Sequence, residues 1–108
     1  MGMPKSNIVP LAMNDQMLSR KIAGVAKDSS RVFVTDHAKK RMRQRGILRT
    51  QVDKVLMIGK VVEHAHRNIH GNWQCTLEAI IAGDRIKIPV ALEEAPNGDS
   101  IIVITVMN

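Results

Sequence analysis

A histidine and two arginines recur at helical spacing near the middle of the chain. His37, Arg41 and Arg45 are each four residues apart, so they form one stripe on an α-helix, which turns roughly 100° per residue. An imidazole transfers protons near neutral pH, and guanidinium groups bind phosphate in a bidentate manner. Such a set can cleave a phosphodiester without a metal ion, so we expect no cofactor. The structural alternative is that His37 begins a helix and the arginines lie over apolar neighbours.

The excess positive charge of the protein falls in one segment around this stripe. The chain has a net charge of +6, and residues 31–54 account for all of it, because basic and acidic residues balance elsewhere. A solvated helix face usually mixes both signs, so this segregation favours an anionic partner, either nucleic acid or an acidic protein. The residues predicted to contact nucleic acid are Lys39, Lys40, Arg43, Arg49, Arg85 and Lys87.

The composition restricts the class of protein further. The chain has 108 residues, which is room for one domain. Phe33 and Trp73 are its only aromatic residues, which argues against an RNA reader that stacks bases on several rings. Cys75 is the single cysteine, so no intrachain disulfide can form and we expect it in the core. We find no secretory signal and no apolar run of about 18 residues, which predicts a cytoplasmic protein without a membrane partner.

Apolar periodicity and capping residues predict three helices in the first half of the chain. The first is expected from Asn14 or Asp15 to about residue 27. A short strand is expected at residues 31–34. Thr35 or Asp36 then caps a second helix that Gly46 stops. A third helix ends at residue 59, and its start is uncertain because a leucine stands at the usual polar cap position.

From residue 60 onward the apolar residues alternate, as they do in strands. Strands are predicted over residues 60–66, 72–82, 85–92 and 101–106, with a hairpin turn at Gly83 and Asp84. Pro89 implies either a bulge or an amide position that faces no partner strand. The predicted fold class is therefore α+β, an antiparallel sheet of four to five strands with helices packed on one face.

Three further histidines leave two interpretations open. His64 and His66 are predicted on one side of a strand, with His70 near, so they could bind zinc or nickel. No carboxylate at suitable spacing completes such a site. The other interpretation is that one of them supplies the proton-transfer partner that His37 lacks. Trp73 is expected at the core or its rim, with base stacking as the alternative, and Glu78 is expected to face solvent, with a role as a base as the alternative.

The run from His37 to Ile47, H-A-x-x-R-M-x-x-R-G-I, and the V-x-x-V-L-x-x-G run over residues 52–59 resemble an uncharacterised bacterial domain family. That family in turn resembles the RelE/ParE-like and BrnT-like toxins, many of which are metal-independent ribonucleases paired with antitoxins. The resemblance covers about residues 32–107. It implies a RelE-like toxin domain over residues 31–108, preceded by a leader and an extra helix over residues 1–30.

The resemblance also implies a site and a reaction. His37, Arg41, Arg45 and the last-strand hydroxyl of Thr105 match its catalytic positions. The implied reaction is endoribonuclease cleavage by attack of a ribose 2′-hydroxyl, with RNA as substrate, free or on the ribosome, and an acidic antitoxin as regulator. The alternative function is a non-catalytic module of the same fold that binds nucleic acid or protein, since fold does not fix function.

Overall fold

The computed structural model describes residues 13–108, so the predicted leader lies outside the described residues. Its three helices are α1 (Asp15–Ala26), α2 (Asp36–Arg45) and α3 (Arg49–Ile58). A single 3₁₀ turn (Ser29–Arg31) precedes the first strand. The strands are β1 (Val32–Val34), β2 (Lys60–Arg67), β3 (Trp73–Ile81), β4 (Asp84–Glu93) and β5 (Ser100–Val103).

The five strands form one mixed sheet in the order β1-β5-β4-β3-β2. β1 pairs with β5 in parallel, and the other three pairings are antiparallel. The α+β class is therefore confirmed, and the prediction of a purely antiparallel sheet is wrong. Alternating apolar residues show that a segment is extended but not which neighbour it joins or in which direction. The parallel pair exists because a long stretch of chain separates β1 from β5.

Two helices cover one face of this sheet. Leu18 and Ile22 of α1 are fully buried, as are Val52 and Val55 of α3. They share one core with inward-facing strand residues, which include Leu77, Ile86, Ile88, Val90, Ile101 and Val103. The core is thus aliphatic, as the scarcity of aromatic residues requires. The opposite side of the sheet carries Gln74, Lys87 and Ile102, which are half-buried or exposed, and we call it the open face.

The helix predicted at the start of the domain forms as expected and belongs to the core. The side chain of Asn14 accepts a hydrogen bond from the Met17 amide at 2.8 Å, which caps α1. At the other end of the sheet, Lys21 of α1 lies 2.9 Å from Glu94. α1 therefore packs across the strands from β2 towards the β4–β5 connection.

The first residue of α1 holds the edge strand β2. Asp15 accepts hydrogen bonds from the Ala65 amide and from His64 Nδ1, both at 2.7 Å. The register of β2 against β3 shifts between Glu63 and His66, so His66 lies opposite Gln74 whereas His64 reaches α1. The prediction that His64 and His66 share one side of a regular strand is therefore wrong, because this bulge breaks the alternation.

The contact between Asp15 and His64 predicts a small pH dependence of stability. Hydrogen bonds from the Ala65 amide and from His64 lower the pKa of Asp15 below 3.8, and the Asp15 carboxylate raises the pKa of His64 above 6.5. The stabilisation by Asp15 is lost as pH falls through its lowered pKa. The stabilisation by His64 is lost as pH rises through its raised pKa. Both are complete only between pH 3.8 and 6.5.

We therefore expect the His64→Gln variant to melt at a lower temperature than the unmodified protein near pH 5.5 and at nearly the same temperature near pH 9, values on the order of one unit either side of the histidine range. Thermal unfolding followed by circular dichroism at the two pH values measures this. His66→Gln is the matched control, because His66 contacts only a backbone carbonyl, that of His64. A melting-temperature difference for His64→Gln that stays constant up to pH 9 would contradict the assignment.

The β3–β4 hairpin differs from prediction by one residue. Ile81 pairs with Asp84, so the two-residue loop is Ala82 and Gly83, not Gly83 and Asp84. Both loop residues have positive φ, +52° and +87°, as a two-residue turn of this twist requires. Gly83 adopts such a φ freely, whereas Ala82 does so at some cost.

Candidate functional site

Thr35 anchors the basic helix α2 to the far end of the chain. Its amide donates to the Val103 carbonyl at 3.2 Å, and its hydroxyl donates to the Ile104 carbonyl at 2.9 Å. The same hydroxyl accepts from the Ala38 amide at 3.0 Å, which makes Thr35 the N-cap. Gly46 ends the helix with a φ of +67°. The predicted bounds of this helix are confirmed, and β1 and β5 together determine where it begins.

We expect Thr35→Ala to lower the free energy of unfolding by about 0.5–2 kcal/mol, the usual cost of losing an N-cap hydroxyl. The loss should be towards the upper end, because the Ile104 carbonyl loses its donor as well. Denaturant unfolding measures the change. Thr35→Ser keeps the hydroxyl and should retain most of the stability. Equal losses for the two variants would show that the methyl group, not the hydroxyl, matters.

The segment after β5 continues along β4 but leaves the regular ladder. Ile104 donates to the Pro89 carbonyl at 3.0 Å, and Lys87 and Met107 exchange two hydrogen bonds at 2.8 and 2.9 Å. Relative to the β4–β5 register, this pairing contains one extra residue. Pro89 has no amide to offer to this segment, so the bulge falls where a ladder hydrogen bond is missing. A bulge was one of the two predicted readings of Pro89.

Thr105 lies in this bulge. The last strand was predicted over residues 101–106, and Thr105 was predicted to carry a hydroxyl on it. The strand ends at Val103, so that strand prediction is wrong, because the bulge opposite Pro89 interrupts the ladder. Thr105 is half-buried between Ile104, whose carbonyl binds Thr35, and the buried Val106.

The C-terminal residues 104–108 run beside α2. Hydrogen bonds join Thr35 to Ile104 at the start of the helix, and Arg45 Nη1 to Asn108 Oδ1 at its end, at 3.1 Å. The flank of α2 that carries the predicted catalytic stripe therefore lies on this side. We call it the tail flank and define it by His37, Arg41 and Arg45.

The tail flank is open to solvent and its charges are not neutralised. His37 and Arg45 are exposed, and Arg41 is half-buried. In the part of the chain that the structure describes, none of the three lies within ion-pair distance of a carboxylate. The neighbouring Ala38 is buried and holds the helix against the domain. This arrangement leaves two guanidinium groups available to an anion beside one imidazole.

The other flank of α2 borders a groove. Lys39 and Met42 line two adjoining clefts of about 410 and 380 Å³. The first cleft extends to Arg43 and to the turn between α2 and α3, and the second extends to β1. Arg49, at the start of α3, lines both. We call this the basic groove and define it by Phe33, Lys39, Met42, Arg43 and Arg49.

The structure thus places the six predicted nucleic-acid-binding residues in different surroundings. Lys39, Arg43 and Arg49 meet at the basic groove, and Lys40 is exposed on the same helix. Lys87 lies on β4, opposite Met107 of the tail. Arg85 lies further away, at the hairpin end of β4, where its Nη1 is 3.7 Å from Glu78 Oε1.

Sequence reasoning missed Phe33. It is the middle residue of β1 and is 55% exposed, whereas Val32 beside it is buried. The alternation of the three-residue strand was the available signal, since neighbours on both sides face the core and Phe33 must then face away. The prediction that β1 is simply a strand rich in β-formers did not use this signal.

The remaining side chains singled out in the sequence have structural surroundings. Among residues 13–108, no three His, Cys, Asp or Glu side chains come together as metal ligands would. His70 lines a cleft of about 400 Å³ on the open face together with Thr35, so it is the further histidine placed near the start of α2. Cys75 is buried, which confirms it as a core residue, and burial raises the pKa of its thiol to about 12. Trp73 is 9% exposed with the Arg67 guanidinium 4.8 Å from its ring centre.

The helices, sheet and basic segment define an α+β domain with a cationic helix at one edge of a mixed sheet. The chain belongs to the family described as a domain of unknown function (DUF4258), which matches residues 34–108. The match begins at the last residue of β1 and includes α2, α3 and β2 to β5. No curated protein and no solved structure matches this chain. None of the helices described between residues 13 and 108 has the length and apolar character needed to cross a membrane.

Proposed function

We propose that this protein is a metal-independent endoribonuclease with a RelE-like toxin fold. The observation that carries the proposal is the tail flank. His37, Arg41 and Arg45 lie on one side of α2 without a carboxylate partner among the described residues, next to a chain end that leaves the flank open. Uncompensated guanidinium groups on a solvated helix are costly unless an anion binds them, and a phosphodiester is an anion whose charge increases during cleavage.

The proposed reaction uses only groups of the protein and the RNA. A base removes the proton from a ribose 2′-hydroxyl, and the 2′-oxygen attacks the adjacent phosphorus. The bond from phosphorus to the 5′-oxygen breaks, and that oxygen takes up a proton. The products are a 2′,3′-cyclic phosphate and a 5′-hydroxyl. His37 serves as one of the two proton carriers, and Arg41 and Arg45 stabilise the phosphorane-like charge.

A second proton carrier is needed for that step, and His70 is the further histidine that the structure favours. It lines the open-face cleft together with Thr35, the residue that caps the helix carrying His37. His64 is less suited, because its Nδ1 is engaged by Asp15 at 2.7 Å. Thr105, which is half-buried in the bulged tail, remains part of the proposal as a hydroxyl near the same flank.

The proposed partners follow from the charge of the same segment. The substrate is RNA, free or on the ribosome, and the regulator is an acidic antitoxin that covers the basic segment in the cytoplasm. Opposite charges bring such partners together quickly and make the association sensitive to salt. The extra helix α1 lies in front of the family match, and in this proposal it completes the core rather than covers the site.

The test is cleavage of end-labelled RNA by the purified protein in the presence of a chelator. We expect products that end in a 2′,3′-cyclic phosphate and no cleavage of the same oligonucleotide with 2′-deoxyribose throughout. Cleavage that depends on added metal, or that also occurs on the deoxy strand, would contradict the proposed mechanism. Absence of cleavage on both free RNA and ribosome-bound RNA would remove the nuclease.

A second candidate function is a non-catalytic nucleic-acid-binding module. The specific observation that favours it is the basic groove, since Lys39, Arg43 and Arg49 meet on the flank of α2 away from His37. Backbone contacts from such residues give binding without sequence reading or chemistry. Salt-sensitive binding to RNA without cleavage would support this module over the nuclease.

A further inference from the structure

The largest exposed ring of the described chain lies at the edge of the sheet. Phe33 has 55% of its surface exposed, compared with 9% for Trp73. Its register partner on β5 is Ile102, which is half-buried on the open face. An apolar ring left in water at this extent costs hydrophobic free energy that a ligand could recover.

Cations surround this ring on one side. Phe33, Lys39, Met42 and Arg49 line the same cleft, and Arg43 lines the adjoining one. Arg49 Nε is paired with Asp53 at 2.9 Å, but Lys39 and Arg43 lie within ion-pair distance of no carboxylate in the described part of the chain.

Lys39 and Arg43 are one helical turn apart on the same flank of α2. Side chains at that spacing are neighbours along the helix. The groove therefore presents an aromatic face and two uncompensated cations in succession.

We propose that Phe33 and the basic groove bind an unpaired nucleotide of single-stranded RNA. The base stacks on the Phe33 ring, and Lys39 and Arg43 contact the flanking phosphates. This inference rests on the proposed function for the identity of the nucleic acid, and it adds the class of substrate, namely single strands. A duplex keeps its bases stacked on one another and cannot offer one to an external ring.

An acidic peptide is the competing occupant, and the ring argues against it. The rim cations would pair with carboxylates, but an apolar peptide side chain needs only methyl or methylene contact from Phe33. Base stacking instead needs a π face. Replacement of Phe33 by leucine therefore separates the two, since leucine retains apolar contact and loses the ring.

The experiment measures binding of a fluorescent 2′-O-methyl oligoribonucleotide, which lacks the attacking hydroxyl and is not cleaved. We expect Phe33→Ala and Phe33→Leu to weaken binding of the single strand by about 5- to 100-fold, the usual effect of removing one stacking ring. Phe33→Trp should retain the affinity, and all variants should bind the corresponding duplex equally. Ile80→Ala is the matched control, since Ile80 is an apolar residue with 64% exposure on β3. Thermal melts confirm that each variant is folded.

Three outcomes would overturn the inference. The first is unchanged single-strand binding by Phe33→Ala. The second is full affinity in Phe33→Leu, which would mean plain apolar contact. The third is displacement of the oligonucleotide by a short polyglutamate peptide with no dependence on Phe33, which would mean a site for acidic protein.

These results are separate from the test of the nuclease. Binding of the uncleavable strand that depends on Phe33, together with no cleavage of ordinary RNA, would support the nucleotide site and remove the proposed chemistry. Cleavage of ordinary RNA that Phe33→Ala leaves unchanged, in both rate and substrate affinity, would support the nuclease and overturn the nucleotide site.

Discussion

We expect the His37→Gln variant to cleave RNA about 10²- to 10⁴-fold more slowly than the unmodified protein, the range that a positioned acid or base contributes. Glutamine retains a polar side chain of comparable size but cannot transfer a proton. His37 is exposed and lies two residues after the N-cap of α2, so its replacement should leave the melting temperature nearly unchanged. Single-turnover cleavage of labelled RNA measures the rate.

Gln44→Ala is the matched control for this prediction. Gln44 is exposed and projects from the same side of α2 as His37, seven residues later. It should cleave at the rate of the unmodified protein. A His37→Gln variant that cleaves as fast as Gln44→Ala would exclude His37 as a proton carrier, whereas equal slowing of both would point to a change in α2 itself.

The Ile22→Ala variant should lose about 2–5 kcal/mol in free energy of unfolding, the usual cost of emptying a fully buried aliphatic site. Ile22 is completely buried in α1, although α1 lies in front of the family match that begins at residue 34. A loss of this size would be a large part of the total stability of a domain of this length. Urea unfolding measures the loss.

Met17→Ala on the same helix provides the comparison. Met17 is 48% exposed, so its truncation should change the free energy of unfolding by no more than about 0.5 kcal/mol. Equal and small effects for Ile22→Ala and Met17→Ala would mean that α1 does not contribute to the core in solution. An effect confined to Ile22 would establish α1 as an integral part of this domain.

Several local features were predictable because short-range chemistry determines them. The Thr35 hydroxyl accepts from an amide three residues later, and the residue at position 46 must adopt a positive φ to end α2, so both ends of this helix are written in neighbouring residues. The start of α3 was uncertain because Leu48 cannot cap. The structure shows that Gln51 Oε1 instead accepts from the Leu48 amide at 2.8 Å, a contact that spacing alone did not reveal.

Other features depend on residues that are distant in sequence. The parallel pairing of β1 with β5 joins Val32 to Ile101, and no periodic pattern specifies such a partner. The bulge that contains Thr105 arises from Pro89 on a neighbouring strand. The bulge in β2 sends His64 to Asp15 of α1, and only the packed arrangement of α1 over the sheet brings these two side chains together.

By itself, the sequence determined that this protein has an aliphatic core, a cationic helix between Thr35 and Gly46, and a run of strands after it, because charge, periodicity and capping act over a few residues. The tertiary structure alone decided that one flank of this helix lies beside the chain end with His37, and that the other forms a groove with Phe33 and Arg49. Packing makes that choice, since burying Ala38 against the domain leaves the two flanks to face different neighbours.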